Sequence, residues 1–402
     1  MAAGPTREVS STWTPLDAAE RFGVLDLIRG FSLFGVMLIN LLYFFRLPLF
    51  DHILRFHSHP GWANHGVDLV MTALVEFKSF HLFALTFGIG VAIQAERAKL
   101  RGVRAEAFLA RRFLILLAFG TVHMLLVSNV DILALYAVCG FIAAMLARLP
   151  TKIVAGLGIA AIYLPSILRE WPPTPPQATW DRYIAQARDV YAHGSFAAIV
   201  AFRWQETRQF IWPLLGGVAQ QTLGLMLLGV ALWRCGVVRQ PDRFRPILRA
   251  VCLLAGTVGL VNSVAEVASR SLHRPVAVPL LEILGSDIPL ALAYAAGLLA
   301  WRRSARANAI LAPVAAAGRM ALTNYLTQTI VMSVAFYGYG FGLFGKLDPV
   351  TAAAFGVVFY LGQLYFSEWW LRRYRFGPFE WLWRSLTYGR RQAMLKPVAP
   401  TT

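Results

Sequence analysis

Charge is scarce in this chain. Only 15% of its 402 residues are Asp, Glu, Lys or Arg, against about 25% in a typical soluble domain. Acidic residues are the rarer sign, 21 against 38 basic. So little charge excludes an ordinary water-soluble globule. Cysteine is scarce too. Cys139, Cys235 and Cys252 are too few for a disulfide framework and lack metal-ligand spacing. Long stretches alternating apolar and polar residues are missing, which excludes a transmembrane β-barrel. A cleavable leader is missing as well. The opening MAAGPTREVSSTWTPLDAAE is polar and carries Asp17 and Glu20, so the first apolar run is expected to act as its own insertion signal.

What is present is apolar and continuous. Hydrophobic residues make up 57% of the chain, and mean hydropathy is +0.55. Runs of about 20 apolar residues suffice to cross a bilayer. They predict an all-α, polytopic helical bundle in the cell membrane, with about ten spans: 22–45, 70–95, 108–128, 131–147, 152–168, 213–234, 247–267, 279–301, 310–337 and 350–371. The formal charge of +17 fits basic residues gathered in cytoplasmic loops. No nucleic-acid module accompanies it. Arg97 to Arg112, Arg234 to Arg249, Arg302 to Arg306 and Arg372 to Arg391 all fall on one side of a ten-span count. Both termini are therefore predicted to be cytoplasmic.

The chain divides into a polar tail (1–21), an N-terminal membrane unit (22–168), an extracytoplasmic connection (169–212), a C-terminal membrane unit (213–390) and a short tail (391–402). The connection opens with Trp171-Pro-Pro-Thr-Pro-Pro176, a stiff spacer. It continues as one expected helix, 179–210, whose Trp180, Tyr183, Tyr191, Phe202 and Trp204 suit the headgroup layer. The Trp- and Arg-bearing segment 376–384 reads as lying at the cytoplasmic interface.

Ionisable residues inside spans cost at least about 2.5 kcal/mol each and mark functional sites. Asp26 and Arg29 sit three apart, on one helix face. Arg29 falls about 10 Å into the membrane at 1.5 Å per residue. Gly318-Arg319-Met-Ala-Leu-Thr-Asn324 puts Arg319 and Asn324 near the same depth. Paired guanidiniums suit phosphate recognition, and an acyl-CoA diphosphate is one ligand of that kind. An Asp26–Arg29 or Asp26–Arg319 ion pair that locks helices is the other reading. In the outer half, His123 and Asp131 flank the turn at Ser128-Asn129-Val130. They are expected to face each other, either as an oriented general base or as a hairpin tie. Glu76, Lys78 and His81 lie near the outer end of the second span and are candidates to join them, with Asp131 a partner for Lys78. His57, His59 and His65 read as a solvated loop rather than a metal site, and no metal is expected. Glu266, Glu282 and Asp287 are further polar residues in or beside spans. Gln220, Gln221, Gln328 and Gln363 either line a polar interior or join helices.

Five segments carry a resemblance. They are Leu25-Asp26-x-x-Arg29-Gly30-Phe31 with Asn40; Lys78-Ser-Phe80 leading to Leu85-Thr-Phe-Gly-Ile-Gly90; His123 followed by Asp131-Ile-Leu133 and Tyr136; Gly318-Arg-Met-Ala-Leu-Thr-Asn-Tyr325; and Arg375-Phe-Gly-Pro-Phe-Glu-Trp-Leu-Trp-Arg384. From about Arg21 to Arg390 the chain resembles the YeiB-like family of bacterial membrane proteins, whose C-terminal half is domain of unknown function 418. That family is in turn similar to transmembrane acyltransferases such as the lysosomal heparan glucosamine acetyltransferase and bacterial sugar O-acetyltransferases. The resemblance implies transfer of an acyl group from a cytosolic donor to a hydroxyl or amine of a small-molecule, glycan or lipid acceptor across the bilayer, commonly through a histidine. In the heparan enzyme's branch that histidine precedes span two, where this chain offers His57, His59 or His65. The expectation is an acyltransferase: Arg29 and Arg319, with Asp26 and Asn324, hold the acyl-CoA, His123 and Asp131 act as base, and Glu76, Lys78 and His81 contact the acceptor. A transporter or flippase is the alternative. The glycine-interrupted stretches Pro213–Gly217 and Tyr337–Gly345 read as broken helices favouring it.

Overall fold

The computed structural model describes residues 23–49, 51, 61–102, 104–168, 176–272, 285 and 287–396. These residues are helical almost throughout. Helices Gly23–Phe45, Trp62–Leu100, Ala105–Leu126, Arg245–Arg270 and Pro349–Arg373 are each long and apolar enough to cross a membrane. Ile132–Leu146, Thr151–Leu164 and Asp287–Ala300 are shorter apolar helices.

In chain order, α1 is Gly23–Ile39, extended by a π-helical turn to Phe45. Then follow α2 (Trp62–Val70), α3 (Lys78–Leu100), α4 (Ala105–Leu126), α5 (Ile132–Leu146) and α6 (Thr151–Leu168). Next come α7 (Gln177–His193), α8 (Phe196–Glu206), α9 (Trp212–Arg234) and α10 (Arg245–Leu272). The chain ends with α11 (Asp287–Ala300), α12 (Ala305–Arg319), α13 (Ala321–Phe336), α14 (Pro349–Arg373) and α15 (Pro378–Tyr388).

Apart from Asp26, Arg29 and Ser32, helix α1 is apolar around its circumference, the pattern of a helix surrounded by others. Its apolar stretch is 78% buried, against 28% for α4 and 22% for α10. It is therefore the innermost candidate span, and outer helices present Leu253, Leu254, Val358 and Tyr365 to their surroundings. Without a hydrophobic drive between helices in lipid, small residues set how closely they approach. A Cβ on Gly30 would meet the Val314 carbonyl, and one on Gly318 would meet the Asp26 carbonyl. These two glycines bring α1 and α12 into backbone contact, which carries Asp26, Arg29 and Arg319 to one place.

Two expected spans are interrupted. The second contains a π-helical turn (Met71–Val75), a break at Glu76, and Phe77 in the left-handed region at φ 56°, a conformation a bulky residue rarely adopts. The ninth splits between Arg319 and Met320 into α12 and α13. Glu380 explains the split by capping α13. It accepts from the Leu322 and Thr323 amides at 2.7 and 3.0 Å and from Thr323 Oγ1 at 2.5 Å.

Three further expectations change. The outer connection forms two helices, α7 and α8, parted at Gly194–Ser195, where Ser195 Oγ accepts from the Ala198 amide at 3.3 Å. Trp180, Tyr183, Tyr191 and Phe202 pack into the protein core instead of a headgroup layer, while Trp204 is exposed. The Pro-rich spacer lies outside the described residues except for Pro176. Pro213 comes just after a π-helical turn, Thr207–Ile211, that joins α8 to α9, and the helix runs on through Gly216 and Gly217 without a break. Tyr337–Gly345 is the turn after α13, not a break within a span. The segment 376–384 folds into α15, a cap beneath α4 and α13. Trp383 Nε1 donates to the Arg112 carbonyl at 3.0 Å, and the Arg112 guanidinium lies 3.5 Å above the Trp383 ring.

Candidate functional site

The crossing of α1 and α12, closed by α15, leaves a cavity of about 220 Å³. Five arginines line it: Arg29 from α1, Arg112 from α4, Arg319 from α12, Arg375 from the turn after α14, and Arg384 from α15. Two carboxylates face them. Asp26 lies 3.5 Å from Arg29, which also donates to the Thr86 carbonyl at 3.3 Å. Glu380 is committed to the α13 amides. Burial pushes the Glu380 carboxyl above its usual range, while the Thr323 and Leu322 donors pull it back. Among the described residues Arg112, Arg319, Arg375 and Arg384 form no ion pair, and Arg319 Nε is buried without a hydrogen-bond partner. Much of the remaining lining is apolar or aromatic, including Phe83, Phe87, Phe113, Leu116 and Tyr136. The site thus combines several cations with hydrocarbon-like surface.

His123 and Asp131 meet across the turn, as expected. His123 Nδ1 lies 2.8 Å from Asp131 Oδ1, and Nε2 lies 2.7 Å from Thr329 Oγ1. Asp131 also N-caps α5, its Oδ2 accepting from the Ala134 amide at 2.6 Å. Both ring nitrogens are thus engaged. Neither His123 nor Asp131 lines the arginine cavity. Tyr325 does, and its hydroxyl lies 3.5 Å from Asp131 Oδ1. Tyr325 is therefore the wall between the two groups.

Other expected members lie elsewhere. Asn324 does not line the cavity. Its amide donates to the Ala317 carbonyl at 3.1 Å and to Ser367 Oγ at 2.9 Å, joining α12, α13 and α14, because the start of α13 turns it to the α14 side. Lys78 pairs with Asp287 Oδ1 at 2.7 Å and with the Thr72 carbonyl at 2.8 Å, not with Asp131. The break at Glu76–Phe77 directs it toward α11. Glu76 lies 3.5 Å from Arg270, which in turn pairs with Glu266 at 2.5 Å. His81 is buried beside Gln221. These three form a polar seam of their own and do not join His123. Gln328 donates to Gln363 at 2.7 Å, a bond between helices. His57, His59 and Glu282 lie outside the described residues.

Residues 232–390 match the family described as Protein of unknown function (DUF418). Over nearly its whole length the chain is similar to two named bacterial proteins. One is Uncharacterized protein YxaH of Bacillus subtilis (strain 168), 28% identical over 94% of this chain and 97% of that protein. The other is Uncharacterized protein YeiB of Escherichia coli (strain K12), 29% identical over 92% and 96%. The C-terminal part of the chain thus carries the DUF418 match, and nearly the whole chain is similar to YeiB and YxaH. No solved structure matches significantly. The DUF418 match holds Arg319, Arg375 and Arg384, whereas Arg29 and Arg112 precede it. The arginine cavity is therefore built across the boundary of the match.

In the sequence Arg112, Arg375 and Arg384 are indistinguishable from the basic residues that orient the helices, and nothing local marks Thr329. Spacing held one usable signal. Glu380 and Arg384, four apart after Pro378, share a helix face.

Proposed function

We propose that the protein is an integral-membrane acyltransferase of the cell membrane, with about ten spans and both termini cytoplasmic. An acyl-CoA donor enters from the cytoplasm, its phosphates against Arg29 and Arg319. The acceptor is a hydroxyl or amine reached from the membrane or from outside. The observation that carries this reading is Tyr325, which lines the arginine cavity and touches the buried His123–Asp131 pair. An anion-binding region and a candidate base thus share one wall.

Asp131 accepting from Nδ1–H fixes the tautomer that leaves the Nε2 lone pair as the base. The acceptor oxygen or nitrogen attacks the thioester carbonyl, forming the new acyl bond as the carbon–sulfur bond breaks. Its proton reaches Nε2 through Thr329, and the thiolate leaves and takes up a proton. Purified protein incubated with labelled acetyl-CoA and membrane extract tests this: label is expected on an acceptor, and less of it by about 10² or more in His123→Ala. Full transfer by a well-expressed His123→Ala protein sinks the mechanism. A tag at either terminus that is reached only from outside intact cells sinks the topology.

One observation favours transport instead. The interrupted α2–α3 helix carries the buried Lys78, paired with Asp287 of α11, and buried charge beside broken helices lines substrate paths in transporters. Movement of a substrate across vesicles without covalent change would establish that reading.

A further inference from the structure

We propose that the arginine cavity binds a phosphate ester bearing at least two anionic groups and one apolar chain, with Arg112, Arg375 and Arg384 holding the second anion. This deepens the donor-site reading and rests on it for the position of the first anion at Arg29 and Arg319.

Charge carries the argument. Five guanidiniums line the cavity against two carboxylates. Asp26 is engaged with Arg29, and Glu380 with the amides that open α13. Guanidinium does not lose its proton in proteins, so the excess of positive charge stays. Arg112 feels the repulsive fields of Arg384 and Arg29, and Arg384 feels that of Arg29 beside the attractive fields of Glu380 and Asp26. Such a cluster is held against repulsion and desolvation by an anion. One phosphate does not answer to arginines drawn from five elements. They fall into two sets by origin: Arg29 and Arg319 where α1 crosses α12, and Arg112, Arg375 and Arg384 where α4 meets the C-terminal segment.

The remaining wall specifies the rest of the ligand. Phe83, Phe87, Phe113 and Leu116 offer nothing to a second sugar or a polar headgroup. They suit a hydrocarbon chain. Two ligand sources share this chemistry, a long-chain CoA thioester and a lipid diphosphate.

Calorimetric titration of the full-length protein in detergent tests the proposal, with inorganic phosphate, inorganic pyrophosphate, CoA, palmitoyl-CoA and farnesyl diphosphate as probes. Pyrophosphate is expected to bind at least about tenfold more tightly than phosphate, a difference of one charge-assisted contact set. At least one chain-bearing probe is expected to bind more tightly than its chainless counterpart. Palmitoyl-CoA as the tighter of the two indicates a thioester, and farnesyl diphosphate a lipid. Arg375→Gln and Arg384→Gln should each weaken the preferred probe by about tenfold, with Arg384→Lys recovering part of the loss. Melting temperatures measured alongside identify a variant that fails to fold, and Arg375, in a turn, is the variant then relied on. Equal binding of phosphate and pyrophosphate, no binding of any probe, or unchanged affinity in folded Arg375→Gln overturns the proposal. The two readings fail separately. Binding as described without acyl transfer sinks only the transferase reading. Transfer with an unchanged donor KM in Arg375→Gln and Arg384→Gln sinks only this one.

Discussion

Thr329 Oγ1 sits 2.7 Å from His123 Nε2, closing the side of the imidazole that Asp131 leaves open. The threonine hydroxyl also lies 3.1 Å from the Tyr325 and Leu326 carbonyls of its own helix. A base held this way needs Thr329 to pass or release a proton. Thr329→Val leaves a buried ring nitrogen unpaired, at about 1–3 kcal/mol of stability. It should also shift the pH profile of kcat for acyl transfer, while Thr329→Ser restores both. Melting curves and pH–rate profiles check this, and a Val variant matching wild type in both would make the contact incidental.

Lys78, its side chain only 1% exposed, pairs with Asp287 of α11, which is 31% exposed. Removing the carboxylate strands a buried ammonium. Asp287→Leu alone should destabilise by about 3–5 kcal/mol, Lys78→Met by less because it leaves a part-exposed carboxylate, and the double variant by less than Asp287→Leu. A double-mutant cycle by chemical denaturation measures the coupling. Additive losses would show that the two charges act independently.

Gly30 and Gly318 let α1 and α12 touch, and any side chain there meets backbone. Gly318→Ala should cost about 1–3 kcal/mol through overpacking. It should also move Arg29 and Arg319 apart and weaken pyrophosphate binding. Titration of the variant at a temperature where it remains folded is the measurement, and undiminished affinity counts against a cavity set by this crossing.

Glu206, in the outer connection, accepts from the Tyr183 and Tyr191 hydroxyls and from Asn129 Nδ2. Burial raises its carboxyl from 4.5 to about 8. Between those values the folded chain keeps a proton that the unfolded chain has released. Stability should therefore be flat below pH 4.5 and fall from there through about 8, by at most about 1.4 kcal/mol per pH unit. Glu206→Gln should remove that slope. Melting temperatures over roughly pH 5 to 9 test the sign, and a slope that survives in the Gln variant assigns it to another group.

Glu380→Ala removes the cap of α13, worth about 0.5–2 kcal/mol. Because Glu380 also ties α15 down, the variant should expose the hinge near Gly377 to protease faster than wild type. Equal cleavage rates would mean that the Trp383–Arg112 contacts alone hold α15.

Helix content and the location of the charged sites were legible because composition and local spacing decide them. A run such as Gly23–Phe45 is helical whatever surrounds it, since an apolar backbone must bond within itself. His123 and Asp131 were legible for a similar reason, being eight residues apart across one tight turn. Lys78 was not. Its partner depends on a strained Phe77 and on α11, more than two hundred residues away. Asn324 was misassigned because depth alone does not fix direction, and the break after Arg319 turns it toward Ser367.

By itself, then, the sequence determined the class of protein, its apolar helices and the scarce charges that had to matter, because insertion into lipid makes each one costly. Only the tertiary structure decided which of those charges meet. Two glycines set the α1–α12 approach, and Glu380 and Trp383 fold α15 back under the bundle. Arg112, Arg375 and Arg384 thereby join Arg29 and Arg319 around one cavity, a long-range packing outcome that no local spacing encodes.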